Sequence, residues 1–212
     1  MTGDVEALAA TIRAAATGPA RFVFAIAGPP GSGKSTLAEA LVAAIERREP
    51  GSAVLVPMDG FHLDSAVLAA RGLLARKGAP ETFDVAGYHA ALGRIRAGEE
   101  VAVPVFDRTL DLARAGAVVV GPGHRIVVTE GNYLLLDRPP WDRLADQFDR
   151  TLYVSVPEAE LRARLVRRWL DHGLAAGVAE SRAEANDLVN ARLVAHLRRP
   201  ADGEWVAIDA QA

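Results

Sequence analysis

The sequence predicts an α/β fold with three layers, in which a mainly parallel β-sheet lies between two layers of helices. Short apolar runs of strand length alternate along the chain with longer runs in which apolar residues recur at helical spacing. Parallel strands joined by helices place those helices on both faces of the sheet. The chain has 212 residues and contains no internal repeat, low-complexity tract or long linker, so we expect a single domain over residues 1–212.

The individual elements follow in order from the pattern of apolar residues and from helix-start signals. We expect strands at residues 21–27, 53–57, 101–106, 125–131, 150–156 and 204–208, and helices at residues 34–49, 66–78, 85–98, 158–173 and 181–200. In the first of these helices, Leu37, Leu41 and Ile45 recur on one face. Asp84 precedes the third helix, where its side chain can cap the first turn. Pro104 interrupts the third strand, which is typical of a strand at the edge of a sheet.

Composition and charge exclude several classes of protein. The chain has no cysteine, which rules out disulfides, thiolate metal sites and a cysteine nucleophile. A net charge of −3 gives no support to nucleic acid or an anionic membrane as a partner. No run approaches the roughly 18 apolar residues of a membrane span, and Asp4 and Glu6 stand where a secretory signal would be basic. We therefore expect a cytoplasmic protein that binds neither nucleic acid nor a membrane.

The stretch GPPGSGKST, residues 28–36, has the spacing G-x-x-x-x-G-K-[ST] and lies between a predicted strand and a predicted helix. Its glycines leave backbone N–H groups free to surround a polyphosphate, and the helix N-terminus adds a favourable field. Lys34 can reach the β- and γ-phosphates, and the Ser35 hydroxyl can bind Mg²⁺. An ordinary Gly/Pro turn is the alternative, but a chance match is on the order of one in a hundred for a chain of this length. The residues expected to contact ATP are Gly28, Gly31, Ser32, Gly33, Lys34, Ser35 and Thr36.

Two acidic residues stand at the ends of predicted strands. Asp59 follows the strand at 53–57, and Glu130 lies at the end of the strand at 125–131. In open parallel sheets, ligands bind beyond the carboxyl ends of the strands, which is also where residues 28–36 lie. At such an edge, one carboxylate can accept a proton from a hydroxyl while another holds Mg²⁺. A turn residue that ends the strand is the alternative for each.

The helix predicted at 158–173 is rich in arginine. Arg164, Arg167 and Arg168 follow the i, i+3, i+4 spacing that places side chains on one face. Arginines on a movable segment can surround a transferring phosphoryl group as a site closes, and we expect residues 164–182 to form such a lid. A solvated face of an amphipathic helix is the alternative. Nucleic-acid binding through these arginines is disfavoured by the acidic net charge.

Five stretches of the sequence, taken in order, resemble one family of enzymes. They are GPPGSGKST, PMDGFH, RKGAPETFD, PVFDR and VVTEGNYLL. Over about residues 20–200 they are similar to the phosphoribulokinase/uridine kinase family of P-loop kinases, which includes bacterial pantothenate kinase. RKGAPETFD resembles the pantothenate kinase branch most, and the compact length resembles small bacterial proteins labelled as sugar (fructose) transport system kinases. The resemblance implies a P-loop kinase fold with a small helical lid, and ATP and Mg²⁺ as cofactors.

The resemblance also implies roles for individual residues at the catalytic centre. In the family, a carboxylate after a strand accepts the acceptor's proton, lid arginines contact phosphate and an acidic residue lies near Mg²⁺. The matching positions are the catalytic Asp59, Lys34, Arg164 and Arg167, and the metal-binding Ser35 and Glu130.

The same matching implies an acceptor site. Asp84 lies where uridine kinases hold ribose hydroxyls, and Phe106 lies where they place an aromatic ring against the substrate. Uridine kinases have an aromatic residue in place of Arg108 and a histidine near Asp111, so these two positions indicate an acceptor rich in hydroxyls or bearing an anionic group. His62 can touch the substrate or orient a carboxylate; a hydrogen-bonded turn residue is the alternative.

The sequence therefore predicts an ATP- and Mg²⁺-dependent kinase whose acceptor is a hydroxyl of a sugar, nucleoside or pantothenate-like metabolite. The alternative in another class is a P-loop ATPase or nucleotide-binding regulator without an acceptor. A kinase requires an open, polar cavity beside the phosphate loop, and we expect the Asp59 carboxylate to point into it next to Ser35 and Glu130. The expected partner is a small-molecule substrate, and the sequence is compatible with a homodimer.

Overall fold

Helices and strands alternate along residues 4–206, the part of the chain that the structure, a computed structural model, describes. The strands there are β1 (Phe22–Ala27), β2 (Ala53–Pro57), β3 (Val101–Asp107), β4 (Leu112–Val120), β5 (Ile126–Gly131), β6 (Arg150–Ser155) and β7 (Gly203–Val206). The helices are α1 (Val5–Ala15), α2 (Lys34–Arg48), α3 (Ser65–Ala70), α4 (Val85–Arg96), α5 (Glu158–Asp171), α6 (Ala176–Arg182) and α7 (Leu188–His196). Five strands form a parallel sheet in the order β2-β5-β1-β6-β7, and β3 pairs with β4 in a separate antiparallel hairpin.

Helices cover both faces of the central sheet, which confirms the predicted three-layer α/β fold. Side chains of β1 alternate between the two faces: Phe24 packs on the side of α1 and α2, and Val23 packs on the side of α4. The predicted apolar face of α2 is buried, with Leu41 and Ile45 fully inaccessible. Burial of one such side chain contributes about 1.5–3 kcal/mol, so these two faces hold the sheet and its helices together.

Most predicted elements are confirmed to within one or two residues, whereas α1 and β4 are not predicted. Most residues of β4 are exposed, so the strand lacks the alternation of apolar and polar residues that marks a strand in a sequence. In α1 the signal is present in the sequence: Leu8, Ala9 and Ile12 recur at helical spacing and are buried, and Asp4 caps the helix. Of the strand predicted at 204–208, the part within β7 is confirmed and residues 207–208 lie outside the described residues. In the described part of the chain, no helix is long and apolar enough to cross a membrane.

Two predicted helices have different bounds in the structure. The helix predicted at 66–78 ends at Ala70, because Gly72 has a left-handed φ of 68° and the chain turns back. The segment predicted as one helix at 181–200 begins earlier, as α6, and contains a π-helical turn at Ala183–Asp187 before α7. A π turn shifts the phase of the helix that follows, and such turns are frequent at functional sites.

The β3–β4 hairpin packs on the turn that follows β2. Gly60 in this turn lies so close to β3 that an added Cβ would be 2.1 Å from the Pro104 carbonyl oxygen. Pro104 thus belongs to a strand outside the main sheet, with a register shift between Val103 and Val105. The contact brings the end of the hairpin next to the carboxyl ends of β1, β2 and β5, where the predicted site residues lie.

Candidate active site

The loop between β1 and α2 has the backbone of a phosphate-binding loop. Gly31 and Gly33 have left-handed φ values of 79° and 86°, a conformation that favours glycine. Gly33 is the N-cap of α2 and supplies no side-chain cap, so the first N–H groups of the helix remain available for an anion. At Gly28 the chain passes too close to its neighbours for a side chain. An added Cβ there would lie 2.8 Å from Ser32 Oγ and 2.9 Å from the Val154 carbonyl oxygen.

Lys34 and Glu130 form a buried pair of ionisable groups under this loop. Only 8% of Lys34 and 4% of Glu130 is exposed. Burial lowers the pKa of Lys34 below its usual value, against the opposing effect of the negative charges of Glu130 and Asp59. Burial raises the pKa of Glu130 to about 7, and both Lys34 and a hydrogen bond with the Ser35 side chain oppose that rise. A cation bound nearby would hold Glu130 as a carboxylate.

Asp59 lies in the 3₁₀ turn Met58–Phe61, directly after β2. Its side chain is 24% exposed and its Oδ2 accepts a hydrogen bond from Arg108 Nη2 at 3.2 Å. The Asp59 charge acts on both Lys34 and Glu130, which places the carboxylate close to that pair. Among residues 4–206 no backbone N–H donates to this carboxylate, so Asp59 does not cap a local turn.

A cavity of about 700 Å³ opens beside the phosphate loop. Its phosphate end is lined by Gly31, Gly33, Lys34, Ser35 and Thr36. The other end, called the acceptor end below, is lined by His62, Lys77, Phe83, Phe106, Arg108 and Asn190. Asp59 lies between the two ends. A second, shallower depression of about 560 Å³ lies beside β7 and contains none of the predicted site residues.

His62 contributes to the apolar wall of the acceptor end. Its ring centroid lies 4.0 Å from that of Phe83 and 4.7 Å from that of Phe106. The ring Nδ1 lies 2.8 Å from the Asp59 carbonyl oxygen, so Nδ1–H donates to it and Nε2 is left as an acceptor. Burial lowers the pKa of His62, against the opposing effect of Asp59, so the ring is neutral at pH 7.

A lowered pKa at His62 makes the stability of the protein depend on pH. The unfolded chain binds a proton near pH 6.5 while folded His62 resists it, so the contribution of His62 to stability is present above pH 6.5 and is lost as pH falls. We expect the wild type to lose more unfolding free energy between pH 7 and pH 5 than His62→Phe, measured by urea denaturation. His196→Gln, at an exposed position, is the control and should keep the wild-type pH dependence. Equal pH dependence in wild type and His62→Phe would contradict this.

Lys77 holds the tip of the β3–β4 hairpin in place. Its Nζ donates to Ser65 Oγ at 2.9 Å, to the Asp111 backbone oxygen at 2.8 Å and to Asp111 Oδ2 at 2.8 Å. Asp111 itself has a φ of 53°, a conformation that non-glycine residues rarely adopt. The ammonium also lies 5.2 Å from the centroid of the Phe106 ring. Asp111 lines the cavity, and its carboxylate is bound to Lys77.

Helix α5 lies directly over the phosphate loop. Its buried residues Leu161 and Leu165 pack toward the loop, and an added Cβ at Gly31 would lie 3.0 Å from Leu165 Cδ2. Arg164 lines the cavity and also bonds to Glu160 on the same helix.

The structure corrects the prediction that Arg167 shares the cavity face of α5. Arg168 lines the cavity and donates to Asp187 Oδ2 at 3.0 Å, whereas the Arg167 side chain is 76% exposed and bonds to Asp171 at 2.9 Å. The reason is the rotation of the helix: consecutive residues project about 100° apart, and burial of Leu165 turns position 167 away from the cavity.

Asp84 also lies outside the cavity lining. Its exposed side chain accepts the Gly87 N–H at 2.8 Å, which is the helix cap predicted for it at the start of α4. The structure does not bring this carboxylate to the acceptor end, because it is held at the first turn of its own helix.

Several residues that line the cavity are missing from the sequence-based predictions. They are Lys77, Asn132, Trp169, Arg182, Asn186, Asp187 and Asn190. Lys77 and Asn132 fall within the stretches RKGAPETFD and VVTEGNYLL, so the sequence contained a signal for these two. The other residues line the cavity because of how α5, α6 and α7 pack, which the sequence pattern does not show. Asn132 Oδ1 and Asn190 Oδ1 are buried and accept no hydrogen bond within the described residues. Buried polar atoms of this kind are normally paired, so a bound donor group would satisfy them.

Comparison with known proteins places the chain among P-loop kinases. No family model matches it. Over 186 residues it is 35% identical to a "putative uridine kinase" of Schizosaccharomyces pombe, covering 82% of this chain and 78% of that protein. It is 34% identical over 157 residues to a pantothenate kinase of Nitrobacter hamburgensis, covering 70% of this chain and 49% of that protein, so it spans about half of the latter's length.

A solved structure gives the same result at higher identity. The "putative fructose transport system kinase" of Silicibacter sp. TM1040 is 47% identical, covers 96% of this chain and 99% of its own, and superposes with a TM-score of 0.89. With its phosphate loop and its parallel sheet, the chain belongs to the phosphoribulokinase/uridine kinase family of P-loop kinases.

Proposed function

We propose that the protein transfers the γ-phosphoryl group of ATP to a hydroxyl of a small metabolite, with Asp59 as the proton acceptor. The observation that carries this proposal is that Asp59 lines the same open cavity as the phosphate loop. In the reaction the acceptor oxygen forms a bond to the γ-phosphorus and the bond from the γ-phosphorus to the bridging oxygen breaks. ADP leaves, and the hydroxyl proton goes to Asp59.

At the phosphate end, the loop N–H groups and Lys34 bind the β- and γ-phosphates. The buried position of Lys34 strengthens its interaction with phosphate, since the local dielectric is low. Arg164 and Arg168 approach from α5 and contact the transferring group as the site closes. We propose that the chain works as a single kinase domain in which residues 164–182 form the lid, and the contact between Leu165 and Gly31 couples this lid to the loop.

The residues below the loop fit a magnesium ion. Mg²⁺ prefers oxygen ligands and is commonly bound by one or two carboxylates together with substrate phosphates and water. Ser35 lines the phosphate end of the cavity, and the buried Glu130 is joined to it by a hydrogen bond, so a hydroxyl and a carboxylate lie next to each other there. Among residues 4–206, no three acidic or histidine side chains converge as a complete metal cage, which suits an ion that is also held by nucleotide phosphates. When bound, Mg²⁺ neutralises charge on the phosphates.

The acceptor end suits a small polar metabolite with a carbon skeleton. The rings of His62, Phe83 and Phe106 form an apolar wall, and Asn190 Oδ1 is a buried acceptor without a partner in the described chain. The relatives of this chain are named for uridine, pantothenate and a fructose transport system, which supports a sugar, nucleoside or pantothenate-like acceptor.

An acceptor screen tests this function. ATP consumption is measured by a coupled ADP assay with Mg²⁺ and a panel of sugars, nucleosides, sugar acids, sugar phosphates and pantothenate. We expect at least one acceptor to raise the rate well above the acceptor-free rate, and the phosphorylated product to be visible by mass spectrometry. ATP hydrolysis that no acceptor changes would favour the ATPase alternative.

The lid arginines supply a matched pair of variants. We expect Arg168→Gln to lower kcat by roughly 10²-fold, since a cation near the transferring group is lost. Arg167→Gln removes the same charge one position away, on the solvent side of α5, and should stay within about twofold of wild type. Thermal melting controls for the loss of the Arg168–Asp187 bond. Equal losses of kcat in the two variants would contradict this assignment.

A further inference from the structure

Arg108 lies where the phosphate end and the acceptor end of the cavity meet. It directly follows β3, and its hairpin turn is fixed by Asp107, whose Oδ1 accepts the Thr109 N–H at 3.0 Å. The guanidinium lines the cavity, and its positive charge acts on Lys34 at one end and on His62 at the other. The backbone that carries this arginine is therefore held in place, and its charge is felt at both ends of the cavity.

The protein itself uses only part of the Arg108 guanidinium. Its Nη2 donates to Asp59 Oδ2 at 3.2 Å, and within residues 4–206 this is its ion-pair contact. An arginine has five N–H donors in a planar fork, and 65% of this side chain is exposed, so one edge of the fork remains open. Such a fork binds a carboxylate or a phosphate through two parallel hydrogen bonds.

The other charged groups at the hairpin tip are already bound to each other. The three donors of Lys77 go to Ser65 Oγ and to two oxygens of Asp111, as described above. Lys77 therefore has no donor left for a ligand, and its charge offsets that of Asp111. From the sequence, Arg108 and Asp111 indicate an acceptor that either is rich in hydroxyls or bears an anionic group. The pairing of Lys77 with Asp111 leaves the Arg108 guanidinium as an open charge at the hairpin tip, which favours an anionic acceptor.

We propose that Arg108 selects an acceptor that carries an anionic group, a carboxylate or a phosphate, a few bonds from the hydroxyl that is phosphorylated. The inference rests on the proposed kinase function and names its substrate class. The anion binds the open edge of Arg108 while the hydroxyl binds Asp59, so the Arg108–Asp59 pair sets the separation of the two groups. Arg108 keeps its bond to Asp59 Oδ2 in this arrangement, and the other carboxylate oxygen accepts the hydroxyl. A neutral acceptor offers no group to the open edge of Arg108.

The test compares acceptors in pairs that differ only in charge: hydroxy acids with their primary amides, and sugar phosphates with the parent sugars. Each compound is assayed for ATP turnover and, with a non-hydrolysable ATP analogue present, for thermal stabilisation of the protein. We expect wild type to use the anionic members, and Arg108→Gln to raise their KM about 10- to 100-fold, since a charge-assisted bidentate contact is lost. Arg108→Lys should recover part of the affinity, because the charge remains without the fork.

Arg94→Gln is the matched control, because it removes an exposed arginine paired with Glu99 on α4 and should leave KM unchanged. Equal use of both members of each pair by wild type would overturn the proposal. The proposal would also be overturned if Arg108→Gln lowered kcat equally for anionic and neutral acceptors, because an equal loss indicates that Arg108 contacts ATP and not the acceptor. Both results leave acceptor-dependent turnover, and with it the kinase function, intact. If no compound stimulates ATP turnover, that result counts against the kinase function. In that case thermal stabilisation decides the Arg108 proposal: it holds if only anionic compounds stabilise wild type and Arg108→Gln loses this stabilisation, and otherwise it fails.

Discussion

Lys34→Ala is expected to nearly abolish phosphoryl transfer, with a loss of at least about 10³-fold in kcat/KM. Lys34 is a buried positive group at the phosphate end of the cavity, so its charge is poorly screened and would act strongly on a phosphoryl group bound there. The fold should be largely retained. Without Lys34, Glu130 loses a neighbour that lowers its pKa and becomes protonated at neutral pH, so no isolated charge is left in the interior.

Turnover by the coupled assay and unfolding by circular dichroism, measured on the same preparations, check this expectation. Arg48→Ala, at the exposed far end of α2, serves as the control and should behave as wild type in both measurements. A folded Lys34→Ala protein that keeps its turnover would show that the loop does not bind the reacting nucleotide.

Asp59→Asn should lower kcat by about 10²–10⁴-fold while nucleotide affinity changes little. The substitution keeps the size of the side chain and one acceptor oxygen, but removes the carboxylate that we propose takes up the hydroxyl proton. Asparagine can still accept a hydrogen bond from Arg108, so the acceptor end should keep its shape. We therefore expect Asp59→Asn to slow the chemical step and to leave the binding of ATP nearly unchanged.

Single-turnover kinetics and titration with a fluorescent ATP analogue separate these two quantities. Asp64→Asn makes the same chemical change at the exposed cap of α3, where asparagine is an equally good cap, and should leave kcat within about twofold of wild type. A loss of affinity for the analogue as large as the loss of kcat would place Asp59 at the nucleotide instead.

Sequence analysis predicts those features of this protein that are determined by residues close together in the sequence. The phosphate loop follows from glycines that its own backbone requires, and the positions of Asp59 and Glu130 follow from the ends of parallel strands. The α/β alternation likewise needs only runs of apolar residues. These features depend on neighbours in the sequence, and the structure agrees with them.

The features that escaped prediction depend on contacts between distant segments. Arg167 and Arg168 have the same chemistry and adjoining positions, and only the packing of Leu165 on the phosphate loop decides which of them faces the cavity. In the sequence, Asp84 is compatible both with a helix cap and with a substrate-binding residue. In the structure its carboxylate accepts the Gly87 N–H, which identifies it as a helix cap. Asn190 lines the cavity from α7, which follows a π-helical turn that the pattern of apolar residues does not predict.

The contact between Gly31 and Leu165 limits which sequences this loop can accept during evolution. The spacing G-x-x-x-x-G-K-[ST] leaves position 31 open to any residue. Here two separate constraints act on that position: its left-handed φ of 79°, and the side chain of Leu165 at 3.0 Å from where a Cβ would be. A smaller residue at 165 would relieve the second constraint and leave the first. Glycine is therefore expected at position 31 among homologous sequences even where residue 165 is small, and beside a leucine at 165 it is required for two independent reasons.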